Sequence, residues 1–276
     1  MSLPVAVIIP TYNRGHTLAR ALDSVLQQTT QPNEIWVIDD GSTDNTPALL
    51  EEHYPQIDVV RQENSGVSAA RNRGVNKSRS DWLAFLDSDD EWLPQKLECQ
   101  FAAIKEDPEI NIVHTDEIWI RNGVRVNPMQ KHRKQGGDIF EQSLGLCAMS
   151  PSTILLRRCL IEEEGGFDES LPACEDYDLW LRLCCKYEVS YVDEMLIRKY
   201  GGHEDQLSRQ YWGMDRFRIK AIAKLLRRGE LNTRQEEQAK NTLQEKCRVL
   251  LLGAKKRHNQ DVIDYCHSLL VEFEIN

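Results

Sequence analysis

An apolar run, Trp82 to Leu86, empties into three acids, Asp87-Ser88-Asp89-Asp90. In extended backbone, residues i and i+2 face the same way, so Asp87 and Asp89 can reach one ligand while Asp90 turns elsewhere. Two carboxylates beside open space suit a hard divalent cation, Mg²⁺ or Mn²⁺, whose shell a diphosphate would complete. The competing reading is structural: the acids cap a helix expected to begin near Glu91 with Pro94 in its first turn, Asp90 being the cap. A calcium loop fits neither here nor at Asp39-Asp40-Gly41-Ser42-Thr43-Asp44, because the EF-hand register of ligands is missing in both places.

A second cluster reads Gly165-Gly166-Phe167-Asp168 and then Cys174-Glu175-Asp176-Tyr177-Asp178-Leu179-Trp180-Leu181-Arg182. Glu175 and Asp176 either enrich the first turn of a helix that buries Leu179, Trp180 and Leu183, or supply a base. An aspartate starts from a pKa of about 3.9, and a helix start favours the ionised form that a base must have. Further on, Tyr200-Gly201-Gly202-His203 offers an imidazole that is either a cation ligand or a solvated loop side chain.

The elements that must hold these groups follow an alternating pattern. Val5 to Pro10 is a continuous apolar run rich in β-branched residues, as in a strand covered on both faces. Leu18, Ala19, Leu22, Val25 and Leu26 recur at helical spacing, and Glu34 to Asp39 forms a second strand ending in two carboxylates. A helix near Thr46 to Tyr54, a strand near Ile57 to Arg61, a helix near Ser68 to Val75 and a strand near Trp82 to Asp87 continue the rhythm. The class is therefore α/β with a wound, mostly parallel sheet, whose ligands sit at the strand ends that carry Thr11, Asp39 and Asp87. Beyond residue 110 the pattern changes. Ile112 to Ile120 and Val124 to Val126 flank Asn122-Gly123, a hairpin signal, and a last strand is expected around Met195 to Ile197.

A chain of 276 residues supports one generous core without staples. Its net charge of −10 opposes binding to nucleic acid. The eight cysteines contain no C-x-x-C pair at zinc spacing and read as reduced thiols. With no signal-peptide start and no apolar run long enough to cross a bilayer, the expected compartment is the cytoplasm.

Taken in order, Pro10-Thr11-Tyr12-Asn13-Arg14, Ile38-Asp39-Asp40-Gly41-Ser42-Thr43-Asp44, Asn64-Ser65-Gly66-Val67-Ser68-Ala69-Ala70-Arg71-Asn72 and Leu86-Asp87-Ser88-Asp89-Asp90 resemble glycosyltransferase family 2. The resemblance covers roughly the first two hundred residues, and four ordered motifs are more specific than any one. It implies the GT-A (nucleotide-diphospho-sugar transferase) fold and an inverting enzyme of bacterial cell-surface polysaccharide biosynthesis. The nucleotide site would comprise Pro10, Thr11, Tyr12, Arg14, Asp39, Asn64, Gly66, Arg71, Asp87 and Ser88, with Asp39 on the base and Arg71 on the base or the diphosphate. Asp89 would bind Mn²⁺ or Mg²⁺, with Asp87 and His203 as further candidate ligands. Asp176 would be the general base, with Glu175 as the alternative. The donor would be a nucleotide-diphosphate sugar, UDP-sugar by expectation, and the acceptor a hydroxyl of a saccharide or lipid-linked glycan.

From about Gln210 onward the chain reads as helical, which divides it into a catalytic domain, 1–208, and an α-helical extension, 209–276. Between Tyr211 and Arg228 six cations stand against the single acid Asp215. Such a helix either lies on an anionic membrane surface at the inner face, or packs its apolar side on the catalytic domain or on a second copy of the chain. Rival functions remain. A nucleotidyltransferase would carry a Gly-rich basic loop where Thr11-Tyr12-Asn13-Arg14-Gly15 stands, and a dinucleotide oxidoreductase would need G-x-G-x-x-G. A non-catalytic sugar-nucleotide or glycan-binding module is the third.

Overall fold

A computed structural model describes residues 3–202, 211 and 213–275. Its first half winds as the alternation demands: β1 (Val5–Thr11), α1 (Leu18–Leu26), β2 (Glu34–Asp39), α2 (Thr46–His53), β3 (Asp58–Arg61), α3 (Val67–Lys77) and β4 (Trp82–Phe85). Then come β5 (Glu91–Trp92), α4 (Lys96–Glu106), β6 (Ile112–Arg121), β7 (Val124–Val126), α5 (Phe140–Gly145), β8 (Leu155–Arg157), α6 (Arg158–Glu164), α7 (Glu175–Cys184) and β9 (Ser190–Gly201). The described chain finishes with α8 (Asp215–Arg228), α9 (Thr233–Lys256) and α10 (Gln260–Glu272).

One sheet runs β3-β2-β1-β4-β8-β6-β9-β5, with β7 paired to β6. Its first four strands are parallel; β8 runs against both β4 and β6, and β9 is parallel to β6. The sheet is therefore mixed in its second half, with the curled α/β architecture of the GT-A class. Residues Val5 to Ile9 are all fully buried, and their alternation splits the core into two layers. Val5, Val7 and Ile9 meet Leu18, Leu22, Val25 and Leu97, whereas Ala6 and Ile8 meet Ala70, Val75 and the helices beyond. Each such Val, Ile or Leu contributes about 1.5–3 kcal/mol of burial free energy. Helix α3 lies so close to β1 that a Cβ on Gly74 would stand 2.4 Å from Ile8 Cγ2.

The Asn-Gly turn forms as expected. Asn122 and Gly123 have φ of 50° and 77°, and Arg121 pairs with Val124. Two left-handed residues in sequence are what a two-residue hairpin loop requires.

The stretch after the acids departs from expectation. No helix starts at Glu91: Glu91 and Trp92 form a strand paired with Arg198 and Ile197, and the helix begins only at Lys96. Asp90 is accordingly not a cap. It is buried and accepts hydrogen bonds from Ser152 Oγ (2.6 Å) and the Tyr200 amide (3.0 Å). A helix N-terminus there would leave the edge of β9 unpaired, and that pairing is invisible in the local sequence.

The C-terminal helices pack on the sheet layer. Phe217, Ile219, Ile222 and Leu225 of α8, with Leu243 and Cys247 of α9, belong to the same buried cluster as Phe85, Trp180 and Ala70. Helix α9 opens on a capping box in which Asn232 Oδ1 accepts from the Gln235 amide and Gln235 reaches back. Among the described residues no helix is long and apolar enough to cross a membrane.

Candidate active site

The carboxyl ends of β1 and β4, the start of α3 and the start of α7 open onto one cleft of about 750 Å³. Its floor on one side carries Pro10, Thr11, Tyr12, Arg14, Asn64, Gly66, Arg71, Asp87, Ser88 and Asp89, and on the other Glu175 and Asp176. These candidates from the sequence line one cleft. His203 lies outside the described residues.

The first wall is folded by its own polar side chains. Asn13, with φ of 52°, turns the chain out of β1, and its Oδ1 accepts the amides of Thr43 and Asp44 (2.8 and 3.2 Å). Asp40 Oδ1 accepts the Ser65 amide at 2.9 Å and Oδ2 the Gly66 amide at 2.8 Å, which fixes the loop leading into α3. Gly66 has φ of 91°, a conformation a side chain would strain. Thr11 Oγ1 and Ser68 Oγ are buried without a hydrogen-bond partner, although both residues line the cleft. Buried hydroxyls left unpaired point to a polar ligand.

Asp39 is placed differently from the expectation of a base contact. Its side chain is buried below the cleft wall, with Oδ1 accepting the Ser42 amide (2.9 Å) and Oδ2 3.5 Å from Arg61 Nε. The residue that lines the cleft is Asp40. Past the end of β2 the strand alternation no longer holds, so the facing of this Asp-Asp pair could not be assigned from spacing.

Arg71 spans the two walls. Its Nη2 lies 2.7 Å from Asp87 Oδ1 and its Nη1 2.5 Å from Glu175 Oε1, while its Cζ stands 5.2 Å from the Phe167 ring centroid. Burial works against its charge, but Asp87 and Glu175 more than compensate and hold the guanidinium firmly protonated. Burial also dominates at Glu175, whose carboxyl is pushed up to about 6 despite Arg71. The Gly165-Gly166-Phe167 segment serves this geometry: Phe167 sits edge-on against Phe85 at 5.3 Å and near Trp180 at 6.2 Å.

Asp176 stands half-buried at the opposite wall. Its Oδ1 accepts the Tyr177 amide (2.7 Å) and its Oδ2 the Cys147 thiol (3.2 Å). Burial, followed by the Asp176 charge, pushes the Cys147 thiol well up, so it donates a proton and is not a thiolate. Cys174, immediately before the two acids, has φ of 62° and turns them toward the cleft. A left-handed backbone costs a non-glycine residue about 1–2 kcal/mol, which the surrounding packing must offset.

Charged lining residues that sequence reasoning did not assign to the site include Asp40, Lys199 and Arg218. Burial lowers the Lys199 affinity for its proton, but Glu117, Asp90 and Asp87 around it raise it further, so the ammonium is retained. Two adjacent cations, Arg198 and Lys199, after the apolar run Met195-Leu196-Ile197 were the available signal.

Asp87 and Asp89 offer the hard oxygen donors that Mg²⁺ or Mn²⁺ takes. Among the described residues no group of three or more His, Cys, Asp or Glu could enclose an ion unaided. The pair therefore fits a cation whose remaining shell is filled by phosphate oxygens and water, as Mg²⁺ sites commonly are.

The profile described as glycosyl transferase family 2 matches residues 6–164. An uncharacterized glycosyltransferase of Rickettsia typhi is 32% identical over 199 residues, covering 70% of this chain and 63% of the relative. This chain thus spans less than two thirds of the Rickettsia relatives it matches. The Escherichia coli UDP-Glc:alpha-D-GlcNAc-diphosphoundecaprenol beta-1,3-glucosyltransferase WfgD is 31% identical over 191 residues, 68% of this chain and 73% of its own. Among solved structures, S. aureus TarS 1–349 in complex with UDP-GlcNAc superposes with a TM-score of 0.75 at 20% identity, over 98% of this chain and 80% of the other. The mannosyltransferase PcManGT of Pyrobaculum calidifontis, in complex with GDP-Man and Mn²⁺, gives 0.63 at 17% identity, over 100% and 87%. With more than half of its length matched by the profile, on this fold and around this cleft, the chain belongs to glycosyl transferase family 2.

Proposed function

We propose that the chain transfers a sugar, with inversion at the anomeric carbon, from a UDP-sugar to a hydroxyl of a saccharide or lipid-linked acceptor. The observation that carries this reading is a single cleft with Asp87 and Asp89 on one wall and Asp176 on the other. The nucleoside occupies the wall of Thr11, Tyr12 and Asp40, with Asp39 fixing the loop behind it. The UDP and UDP-GlcNAc complexes of TarS and the UDP-Glc donor in the name of WfgD support uridine as the base. GDP-Man in PcManGT makes guanosine the alternative arm of the test.

Asp176 accepts the proton of the acceptor hydroxyl as its oxygen bonds to the anomeric carbon. The bond from that carbon to the β-phosphate oxygen breaks, and its electron pair departs with the nucleoside diphosphate. Attack from the face opposite the leaving group inverts the centre in one displacement. The Tyr177 amide and the Cys147 thiol orient the Asp176 carboxylate, and Arg71 and Glu175 brace the two walls at a fixed separation. Mg²⁺ or Mn²⁺, held by Asp89 with Asp87, would neutralise charge developing on the diphosphate.

The unit 1–208 carries this chemistry, and 209–276 acts as a helical extension packed against it. Packing, rather than a membrane face, is the role we assign to α8. Lys224 pairs with Asp168 and Asp178, Arg228 with Glu164, and Arg227 with Glu272, so much of its basic character is neutralised within the fold.

Thermal unfolding with UDP and GDP, each with and without Mn²⁺, tests the donor site. A nucleotide at a hundred times its Kd stabilises by about 2.7 kcal/mol, and the reading expects that gain for UDP with metal and little without it. No shift with either nucleotide in the presence of Mn²⁺ would remove the reading.

A further inference from the structure

The acceptor side of the cleft extends past Asp176 to a patch formed by Leu171, Pro172, Tyr177, Tyr211, Met214 and Arg218. Helix α8 thus brings its first turns into the site. Three cations near the centre differ in how they are compensated. Arg71 lies between Asp87 and Glu175, and Lys199 lies among Glu117, Asp90 and Asp87. Arg218 has one hydrogen-bonded acid, Asp215, reached from Nη1 at 3.0 Å. That same Asp215 oxygen is 3.3 Å from Lys246 Nζ of α9, so two cations share one carboxylate and the group keeps a net positive charge.

The guanidinium also has donors to spare. Its Nε is buried with no partner, although an arginine head can make five hydrogen bonds in a planar fork. The Tyr177 ring, its centroid 5.8 Å from Cζ, helps limit the head's freedom. A guanidinium that keeps Nε unpaired in a partly buried wall is suited to a carboxylate or phosphate, which charge-assisted hydrogen bonds would hold. The N-terminal end of α8 adds a favourable field for an anion. Without such a cation, an anionic acceptor would be repelled by Asp176 and Glu169 on the same wall.

We propose that Arg218 is the specificity-determining residue for the acceptor, and that the acceptor carries an oxyanion, a phosphate or a carboxylate, beside the hydroxyl that reacts. This rests on the proposed function, since it deepens the acceptor side of that site. Lys246 and Asp215 are positioning residues that hold the guanidinium in place.

The test uses the full chain saturated with UDP and Mg²⁺ and titrated with phenyl phosphate in one arm and benzoate in the other, binding being followed by ligand-observed NMR. Phenyl phosphate or benzoate should bind wild type, and Arg218→Gln should weaken that binding by about tenfold or more, the usual scale for losing a charge-assisted bond. Arg218→Lys, which retains the charge, should recover part of the loss. The UDP affinity should stay within about twofold in both variants, as expected for a residue off the donor site. The arm that binds more tightly identifies the oxyanion. The proposal is overturned if neither probe binds wild type, if Arg218→Gln binds both probes as wild type does, or if UDP binding weakens in parallel, which would place Arg218 on the donor diphosphate. Should wild type take up no nucleoside diphosphate, the donor reading fails by itself. The Arg218 dependence of probe binding to the free protein would still decide this proposal.

Discussion

The two walls of the cleft are built by different means. On the proposed donor wall, from β1 to β4, each site residue follows a parallel strand or opens a helix, and the loops are tied by backbone amides that bond to the side chains of Asn13, Asp40 and Asp44. On the acceptor wall, from α6 to α8, the groups are held by ion pairs distant in sequence, such as Arg71 to Glu175 and Lys224 to Asp178. The difference teaches that the proposed donor wall is tied by side chains bonding to loop backbone, whereas the proposed acceptor wall depends on ion pairs between side chains from separate elements. Substitutions on the second wall should therefore change transfer without emptying the first.

The sharpest way to break that comparison is Asp176→Asn. Loss of a general base costs about 10²–10⁴-fold in turnover, and UDP binding with metal should stay within about twofold because the first wall is untouched. Steady-state assays and a nucleotide titration measure both; retained turnover would take the base role away from Asp176.

Arg71 is where the walls stop being independent. Arg71→Met leaves Glu175 buried without its cation and Asp87 without its partner, a change expected to cost about 3–5 kcal/mol. Urea unfolding would read it, with exposed Arg73→Met as the reference at about 0–1 kcal/mol. Equal midpoints for the two variants would show that the bridge contributes nothing to joining the walls.

A smaller effect should appear in acid, and it concerns strand β6, outside both walls. Burial raises the Glu117 carboxyl, but Lys134 and Lys199, with hydrogen bonds from Ser150 and Trp119, bring it down to about 2 from 4.5. A depressed carboxylate stabilises the fold fully above its unfolded value, and that stability is lost as pH falls through the folded value. Wild type should therefore lose stability between about pH 4.5 and pH 2, and Glu117→Gln should flatten that part of the curve. Parallel curves for the two proteins would show that Glu117 has no such linkage.

How much of this was legible in the sequence follows the same division. The donor wall was legible because the fully buried strands write their burial as unbroken apolar runs and end at polar tips. The hairpin at Asn122-Gly123 was legible because few residues accept two left-handed conformations in succession. Glu91-Trp92 was misread as a helix start because its strand character comes from β9, 107 residues away between Glu91 and Arg198. Lys199 was overlooked for the same reason: the acids that retain its charge come from two other segments, the loop after β4 and strand β6. Asp39 and Asp40 could be found as a pair but not told apart, since spacing fixes facing only inside a strand.

Strand β9 has a consequence for how the protein is made. Asp90 gains the Tyr200 amide, and Glu91 gains Arg198, only once the chain has been synthesised past residue 200. Until then the acidic loop emerging from the ribosome has its first wall but not the strand that closes its edge. Closing a loop of that length is an entropic step that local folding cannot bypass. The edge beside the acidic loop is therefore completed only by a strand that lies more than a hundred residues further along the chain.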